Sequence, residues 1–197
     1  ISNSKKMNFY LSRIGYHGPN TMLLLILIML FTVVQSSNIY LYIYVIVWQI
    51  ISHFINLTIK NTLKHPRPDS DKNENFKNLK PSIDNYLIIH RNFGMPSGHA
   101  QAVISQLVFI ALYFQQPSLT TVSIIQAGLT LWQRYATHRH SIKQLIAGSM
   151  IGVIVGVSFY KIIPFITENY KLSSASASTS APAPAPAPAL AELPELT

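Results

Sequence analysis

Long apolar stretches alternate with short polar breaks along most of the chain. Five of these stretches are predicted to be transmembrane helices, because nearly uncharged runs of about 20 residues match the hydrocarbon thickness of a bilayer. Their ranges are 21–35, 39–59, 97–115, 118–134 and 141–165. The first stretch is only about 22 Å long as a helix, so we expect it to recruit flanking residues or to span incompletely. The pattern predicts an all-α, polytopic membrane helix bundle.

Polar and low-complexity segments divide the chain into three parts. Residues 1–20 contain several basic side chains and end in the helix-breaking sequence HGPN, which indicates an N-terminal interfacial segment. Residues 21–170 form the membrane domain, which includes a Lys- and Asn-rich loop over residues 60–92. Residues 171–197 form a tail. Its Ser/Ala-rich part is expected to be flexible and its Ala-Pro part to be a stiff spacer.

The last apolar stretch contains a glycine at every fourth position, namely Gly148, Gly152 and Gly156. This spacing places the three glycines on one face of a helix, and small residues allow a neighbouring membrane helix to approach closely. The spacing therefore predicts a helix–helix interface along this face. The alternative is that the glycines have no packing role.

The composition favours a membrane protein and restricts its chemistry. The chain is 49% hydrophobic and 11% charged, with a formal net charge of +8, which favours a single-domain integral membrane protein. Cysteine is absent, so disulfides and thiolate chemistry are excluded. Because the apolar stretches carry no acidic residue, carboxylate-held metals and paired-carboxylate catalysis are not expected there. The basic residues are scattered, so nucleic acid is not an expected partner. The acidic residues are Asp69, Asp71, Glu74, Asp84, Glu168, Glu192 and Glu195.

Three short polar stretches carry the residue types that phosphoryl chemistry needs. The first, KNTLKHPRP, begins at Lys60, and the second, PSGH, ends at His99. The third, RYATHRH, runs from Arg134 to His140. Counting the predicted spans places all three stretches on one face of the membrane. The second stretch also begins a predicted helix, and a helix N-terminus favours a bound anion such as phosphate.

These stretches resemble the signature of the type 2 phosphatidic acid phosphatase superfamily, which is K-x6-RP, PS-x-H and SR-x5-H-x3-D. The resemblance covers residues 60–156, with two departures: Gln133 replaces the serine and Gln144 replaces the final aspartate. The dolichyldiphosphatase-like members of the superfamily look similar at GMPSGHAQ and also carry Gln in the last position. Matching positions in this chain are Lys60, Arg67, Pro68, Pro96, Ser97, Gly98, His99, Arg134 and His140.

The resemblance implies a metal-independent membrane phosphatase without a cofactor, acting on a lipid phosphate or a polyprenyl diphosphate. It implies that His140 attacks phosphorus and that His99 is the acid and base. Gln144 would accept the ring N–H of His140, so an aspartate there is expected to work as well or better. The residues implied to bind phosphate are Lys60, Arg67, Ser97, Gly98 and Arg134.

A second interpretation is a catalytically silent member that serves as a structural or lipid-binding subunit of a membrane assembly. It is favoured by the glutamines at 133 and 144 and by five spans where the family usually has about six. The retention of both histidines and all three cations argues for the enzyme. The membrane is left open between an endomembrane, such as the endoplasmic reticulum, and a plasma or viral membrane.

Overall fold

The structure is a computed structural model that describes residues 3–32, 34, 39–68 and 93–179. The described residues form a bundle of six helices. The loop predicted over residues 60–92 lies mostly outside the described residues, as does the Ala-Pro part of the tail. The helices are α1 (Asn3–Tyr16), α2 (Gly18–Thr32), α3 (Ile39–Leu63), α4 (Gly98–Tyr113), α5 (Pro117–Ala136) and α6 (Ile142–Thr179).

Each of the five predicted spans corresponds to a helix, and the all-α prediction is confirmed for the described residues. Among the described residues, however, only Ile39–Leu63 and Ile142–Ile166 are long and apolar enough to cross a membrane. A third span results if Tyr10–Tyr16 and Gly18–Thr32, which meet at an angle of 63°, are counted as one broken span. The structure thus supports two or three candidate spans, fewer than the five predicted, because α4 is short and α5 carries more polar residues.

The glycine face of α6 packs against α4, as the spacing predicted. A Cβ atom on Gly152 would lie 2.7 Å from the carbonyl oxygen of Gln101, and one on Gly148 would lie 2.5 Å from that of Ser97. Such distances show that the two helix backbones are in direct contact. This contact fixes the beginning of α4 against the beginning of α6, where the polar motifs lie.

Aromatic rings join α3, α4 and α6 in the apolar part of the bundle. The ring of Phe159 stacks on Trp48 at 4.1 Å and on Tyr44 at 4.3 Å between centroids. Phe109 meets Phe159 edge-on at 5.0 Å. Offset and edge-to-face ring pairs of this kind stabilise a core beyond the burial of their surface. The cluster anchors the three helices whose ends carry the candidate site.

The first helix packs on the bundle instead of forming a separate segment. Gly15 faces the backbone of Leu129 in α5, and the Gln126 amide donates a 3.1 Å hydrogen bond to the carbonyl of Ile14. The bend between α1 and α2, residues 16–20, is called the elbow below. The elbow lies beside the beginning of α4, so the segment predicted to be interfacial contributes to the site region.

The last helix continues farther than predicted. The sequence places the end of the final span at residue 165 and a flexible tail from residue 171, whereas α6 continues to Thr179. Serine and alanine are compatible with a helix, and the helix that precedes them supplies the nucleus for its extension. The beginning of the Ser/Ala-rich segment is therefore helical.

Candidate active site

The end of α3 and the turn after it supply two cations. Lys60 lies in the last turn of the helix and is fully buried. Lys64, with a positive φ of 47°, donates its backbone N–H to the Lys60 carbonyl, which ends the helix and turns the chain. The turn brings Arg67 across the site, where its Nη1 donates to the carbonyl oxygen of Arg139 at 3.1 Å.

The PSGH stretch forms the N-terminus of α4, as predicted. Ser97 is the N-cap residue, and its hydroxyl accepts a 3.4 Å hydrogen bond from the backbone N–H of Ala100. The Ser97 backbone N–H donates to the carbonyl of Gln144 at 3.1 Å, which ties α4 to α6. Ser97 is completely buried, whereas Gly98 and His99 are partly exposed toward the site.

The end of α5 places Arg134 against His99. The Nη2 atom of Arg134 lies 2.8 Å from the ring nitrogens of His99, and only 8% of the arginine is exposed. Its Nε is buried and has no hydrogen-bond partner among the described residues. The backbone N–H groups of Arg139 and His140 both donate to the Arg134 carbonyl, which wraps the chain into a tight turn. This turn carries His140 back toward Arg67.

The ring of His140 is held in one tautomer. Its Nδ1 lies 2.9 Å from the carbonyl oxygen of Gly94. A carbonyl only accepts hydrogen bonds, so Nδ1 carries the proton and Nε2 keeps its lone pair. Nε2 lies 3.4 Å from Nη1 of Arg67. The nitrogen that carries the lone pair is thus directed toward the cations.

Burial and positive charge keep the His140 imidazole neutral. Desolvation is the largest cause that lowers its pKa, followed by the charges of Arg67, Lys60 and Arg134, and together they bring it to about 2. The hydrogen bond to Gly94 opposes this shift. Burial and the charge of Arg139 also lower the pKa of Arg67, to about 10, which leaves the guanidinium charged at neutral pH.

The expected contact between Gln144 and His140 is not made, which corrects the sequence prediction. The Gln144 amide nitrogen donates to the carbonyl of Pro66 at 2.8 Å and lies 3.0 Å from Nδ1 of His65, and its oxygen accepts from the backbone N–H of Ser141 at 3.1 Å. The carbonyl of Gly94 occupies the position on His140 that was assigned to Gln144. Gln144 therefore acts on the site through the backbone.

Two residues near the site, Gly94 and Tyr16, were given no role in the prediction from the sequence. Gly94 supplies its carbonyl to His140, and its own N–H donates to the carbonyl of His65 at 2.9 Å. Tyr16 in the elbow lies 5.2 Å below the guanidinium of Arg134 and 5.7 Å from the His99 ring. The glycine directly before MPSGH was a usable signal, because a Cβ at Gly94 would collide with the Gln144 amide. A contact made by a backbone carbonyl cannot otherwise be recognised from the residue types in a sequence.

The structure brings all three motifs to one end of the bundle. Within the described ranges, no group of three His, Cys, Asp or Glu side chains is arranged to hold a metal ion. Positive charge in the site comes from Lys60, Arg67 and Arg134. The arrangement is suited to binding an anion between two histidines.

Comparison with protein families agrees with this geometry. The model of the PAP2 superfamily matches residues 38–168, most of the chain. The chain belongs to the PAP2 superfamily. Dolichyldiphosphatase 1 of Dictyostelium discoideum is 25% identical over 131 residues, which cover 60% of this PAP2 chain and 51% of that protein. The chain thus spans about half the length of this curated relative, and the likeness supports the dolichyldiphosphatase-like branch. No solved structure matches the chain.

Proposed function

We propose that this PAP2 protein is a membrane phosphohydrolase that acts on a lipid phosphate or polyprenyl diphosphate through a phosphohistidine intermediate. The observation that carries the proposal is the His140 ring: Nδ1–H is fixed on the Gly94 carbonyl, and the lone pair of Nε2 is directed toward Arg67. A neutral, oriented imidazole beside fixed positive charge is what a nucleophile for phosphorus requires.

The three cations would bind the terminal phosphoryl group. Arg67 lies beside Nε2 of His140, and the charges of Lys60 and Arg134 also act on the His140 ring, which supports a phosphate position shared by the three cations. They would offset the charge on the equatorial oxygens in the transition state, which is the largest expected contribution to phosphoryl transfer. The N-terminus of α4 adds the positive end of a helix dipole.

The first step would transfer the phosphoryl group to the enzyme. The Nε2 lone pair of His140 forms an N–P bond, the bond from phosphorus to the bridging oxygen breaks, and its electron pair stays on that oxygen. His99 gives that oxygen a proton, and the lipid alcohol or lipid phosphate leaves. Since His99 contacts Arg134, it lies beside the same phosphate.

The second step would release inorganic phosphate. His99, now neutral, accepts a proton from a water molecule while the water oxygen bonds to phosphorus. The N–P bond breaks, and its electron pair returns to Nε2 of His140. An imidazole suits both steps because its ordinary pKa near 6.5 allows it to give and take a proton near neutral pH.

The test is phosphate release by the full chain in detergent micelles or liposomes. We expect turnover of lipid phosphates or polyprenyl diphosphates in the presence of EDTA, and inhibition by vanadate, which adopts the five-coordinate geometry of the transition state. A strict requirement for Mg²⁺ would contradict the mechanism. Binding of the lipids without any turnover would instead favour a silent, lipid-binding subunit.

Gln144 gives a prediction that separates its structural role from the one expected from the sequence. Gln144→Ala should lower kcat by about 10–100-fold, the size of lost orienting hydrogen bonds. Gln144→Asp should not restore activity, because the shorter side chain has no amide to donate to Pro66. Lys143→Ala, at an exposed neighbouring position, is the control. Full activity of Gln144→Asp would mean that residue 144 contacts His140 directly during turnover.

A further inference from the structure

A cavity of about 320 Å³ lies on the side of His99 that faces the elbow. It is bounded by the elbow, by the first turns of α4 and by α3, which contributes Gln49, Ser52, His53 and Asn56. These four residues follow the spacing i, i+3, i+4 and i+7, so they form one face of the helix. A polar face of this kind is unusual in a helix that is apolar enough to cross a membrane.

Part of the polar lining is connected by hydrogen bonds. The Asn56 amide donates to Oε1 of Gln101 at 2.8 Å, and the Gln101 amide donates to the carbonyl and hydroxyl oxygens of Ser52 at 2.8 and 2.9 Å. All three residues are at least 97% buried. Because their mutual bonds hold them in place, they form a rigid wall for the cavity.

Two polar atoms of the lining are left over from this network. Nε2 of Gln49 and Oδ1 of Asn56 are buried and have no hydrogen-bond partner among the described residues. An unpaired buried polar atom costs free energy, and a ligand that pairs with it recovers that cost. The Gln49 amide is a donor, so it suits a ligand with acceptor oxygens. None of the described residues that line the cavity is acidic, so no formal negative charge in the lining opposes an anionic ligand.

We propose that this cavity binds the proximal phosphate of a lipid diphosphate, the group that leaves with the lipid, and that Gln49 determines this specificity. The inference rests on the proposed function, in which His99 protonates the leaving oxygen. The cavity adjoins His99, so the atoms attached to that oxygen enter it. In a diphosphate these atoms belong to the proximal phosphate, whose oxygens can accept a hydrogen bond from the Gln49 amide. In a monophosphate they are the carbons of the lipid.

The chemistry of cleavage strengthens this preference. When the bond between the terminal phosphorus and the bridging oxygen breaks, the electron pair moves onto the departing phosphate and increases its negative charge. A donor fixed on that phosphate then stabilises the transition state more than the bound substrate, which raises kcat. A carbon chain in the same place gains nothing from the Gln49 amide. The ratio of activities toward the two substrates therefore reports directly on the cavity.

The experiment compares two substrates with the same short chain, farnesyl diphosphate and farnesyl phosphate, on the wild type and on Gln49→Leu. We expect kcat/KM for the diphosphate to fall about tenfold, the effect of one lost hydrogen bond, and the monophosphate value to stay within twofold. Gln49→Glu, which places a carboxylate against the phosphate, should lower diphosphate turnover further. Gln116→Leu, at the N-cap of α5 where the side chain makes no capping bond, is the matched control.

The outcomes distinguish the two proposals. An equal loss of kcat/KM on both substrates, or no loss on either, would overturn the assignment of the cavity. The proposed phosphohydrolase function would still stand. Hydrolysis of neither substrate by the wild type would overturn both proposals. Folding is not expected to limit the leucine variant, because it removes a buried amide nitrogen that has no partner among the described residues. If the leucine variant does not fold, Gln49→Glu tests the same preference. Its carboxylate repels the proximal phosphate and should lower activity toward the diphosphate relative to the monophosphate.

Discussion

Replacing His140 by alanine is expected to abolish phosphate release, with a loss of at least about 10⁴-fold in kcat, because the nucleophile itself is removed. Folding should be retained, since the ring contributes one hydrogen bond to the Gly94 carbonyl and one contact to Arg67. A rapid alkaline quench of the wild type with substrate labelled in the terminal phosphate should trap label on the protein. The alanine variant should carry none.

The matched control is a histidine two residues earlier in the same turn. His138 is exposed and has a positive φ of 53°, a conformation that asparagine tolerates, so His138→Asn should keep wild-type turnover. Steady-state hydrolysis by a clean His140→Ala preparation would rule out His140 as the nucleophile. Labelled protein in that variant would place the phosphoryl group on another residue.

The second large effect is expected at His99. His99→Asn should lower kcat for a lipid substrate by about 10²–10⁴-fold, the usual contribution of a general acid and base. The loss in the first step should be much smaller for an aryl phosphate such as p-nitrophenyl phosphate, because its leaving group needs no proton. Burst kinetics with that substrate would show phosphorylation preserved and the release of phosphate slowed.

An equal loss of the burst with aryl and lipid phosphates would contradict the role of His99 as the acid. It would indicate that the ring serves to hold Arg134, whose Nη2 lies 2.8 Å away. Arg134→Lys distinguishes these effects, since it keeps the positive charge but removes the guanidinium nitrogen that contacts His99. If His99 is the acid, Arg134→Lys should lower turnover of the aryl phosphate and of the lipid phosphate by the same factor.

The helices could be predicted from the sequence because they depend on patterns within one segment, and the meeting of the motifs followed from the order of those helices along the chain. Apolar runs give the helices, and the spacing of Gly148, Gly152 and Gly156 gives the α4–α6 interface. The contacts of the Gln144 side chain, by contrast, could not be predicted. Its position one turn after His140 places both on the same helix face, but its rotamer is determined by Pro66 and His65, which approach from another part of the chain.

The geometry of the elbow could not be predicted from sequence patterns either. HGPN signals a break, but a break does not specify the 63° between the helices or the helix on which α1 rests. The placement of Tyr16 over Arg134 depends on the close approach of Gly15 to Leu129 in α5. The family model begins at residue 38, so this part of the site lies outside the region that the PAP2 signature describes.

The buried cations also have a consequence for the end of the reaction cycle. In the proposed mechanism, Lys60, Arg67 and Arg134 bind one phosphoryl group beside His140. Orthophosphate, the last product, presents the same oxygens as the transferring group. Groups that bind it tightly delay its departure, and in many enzymes product release limits turnover. The rate of the PAP2 protein would then depend on how quickly phosphate dissociates, and phosphate in the surrounding solution would compete with the lipid for the same charges.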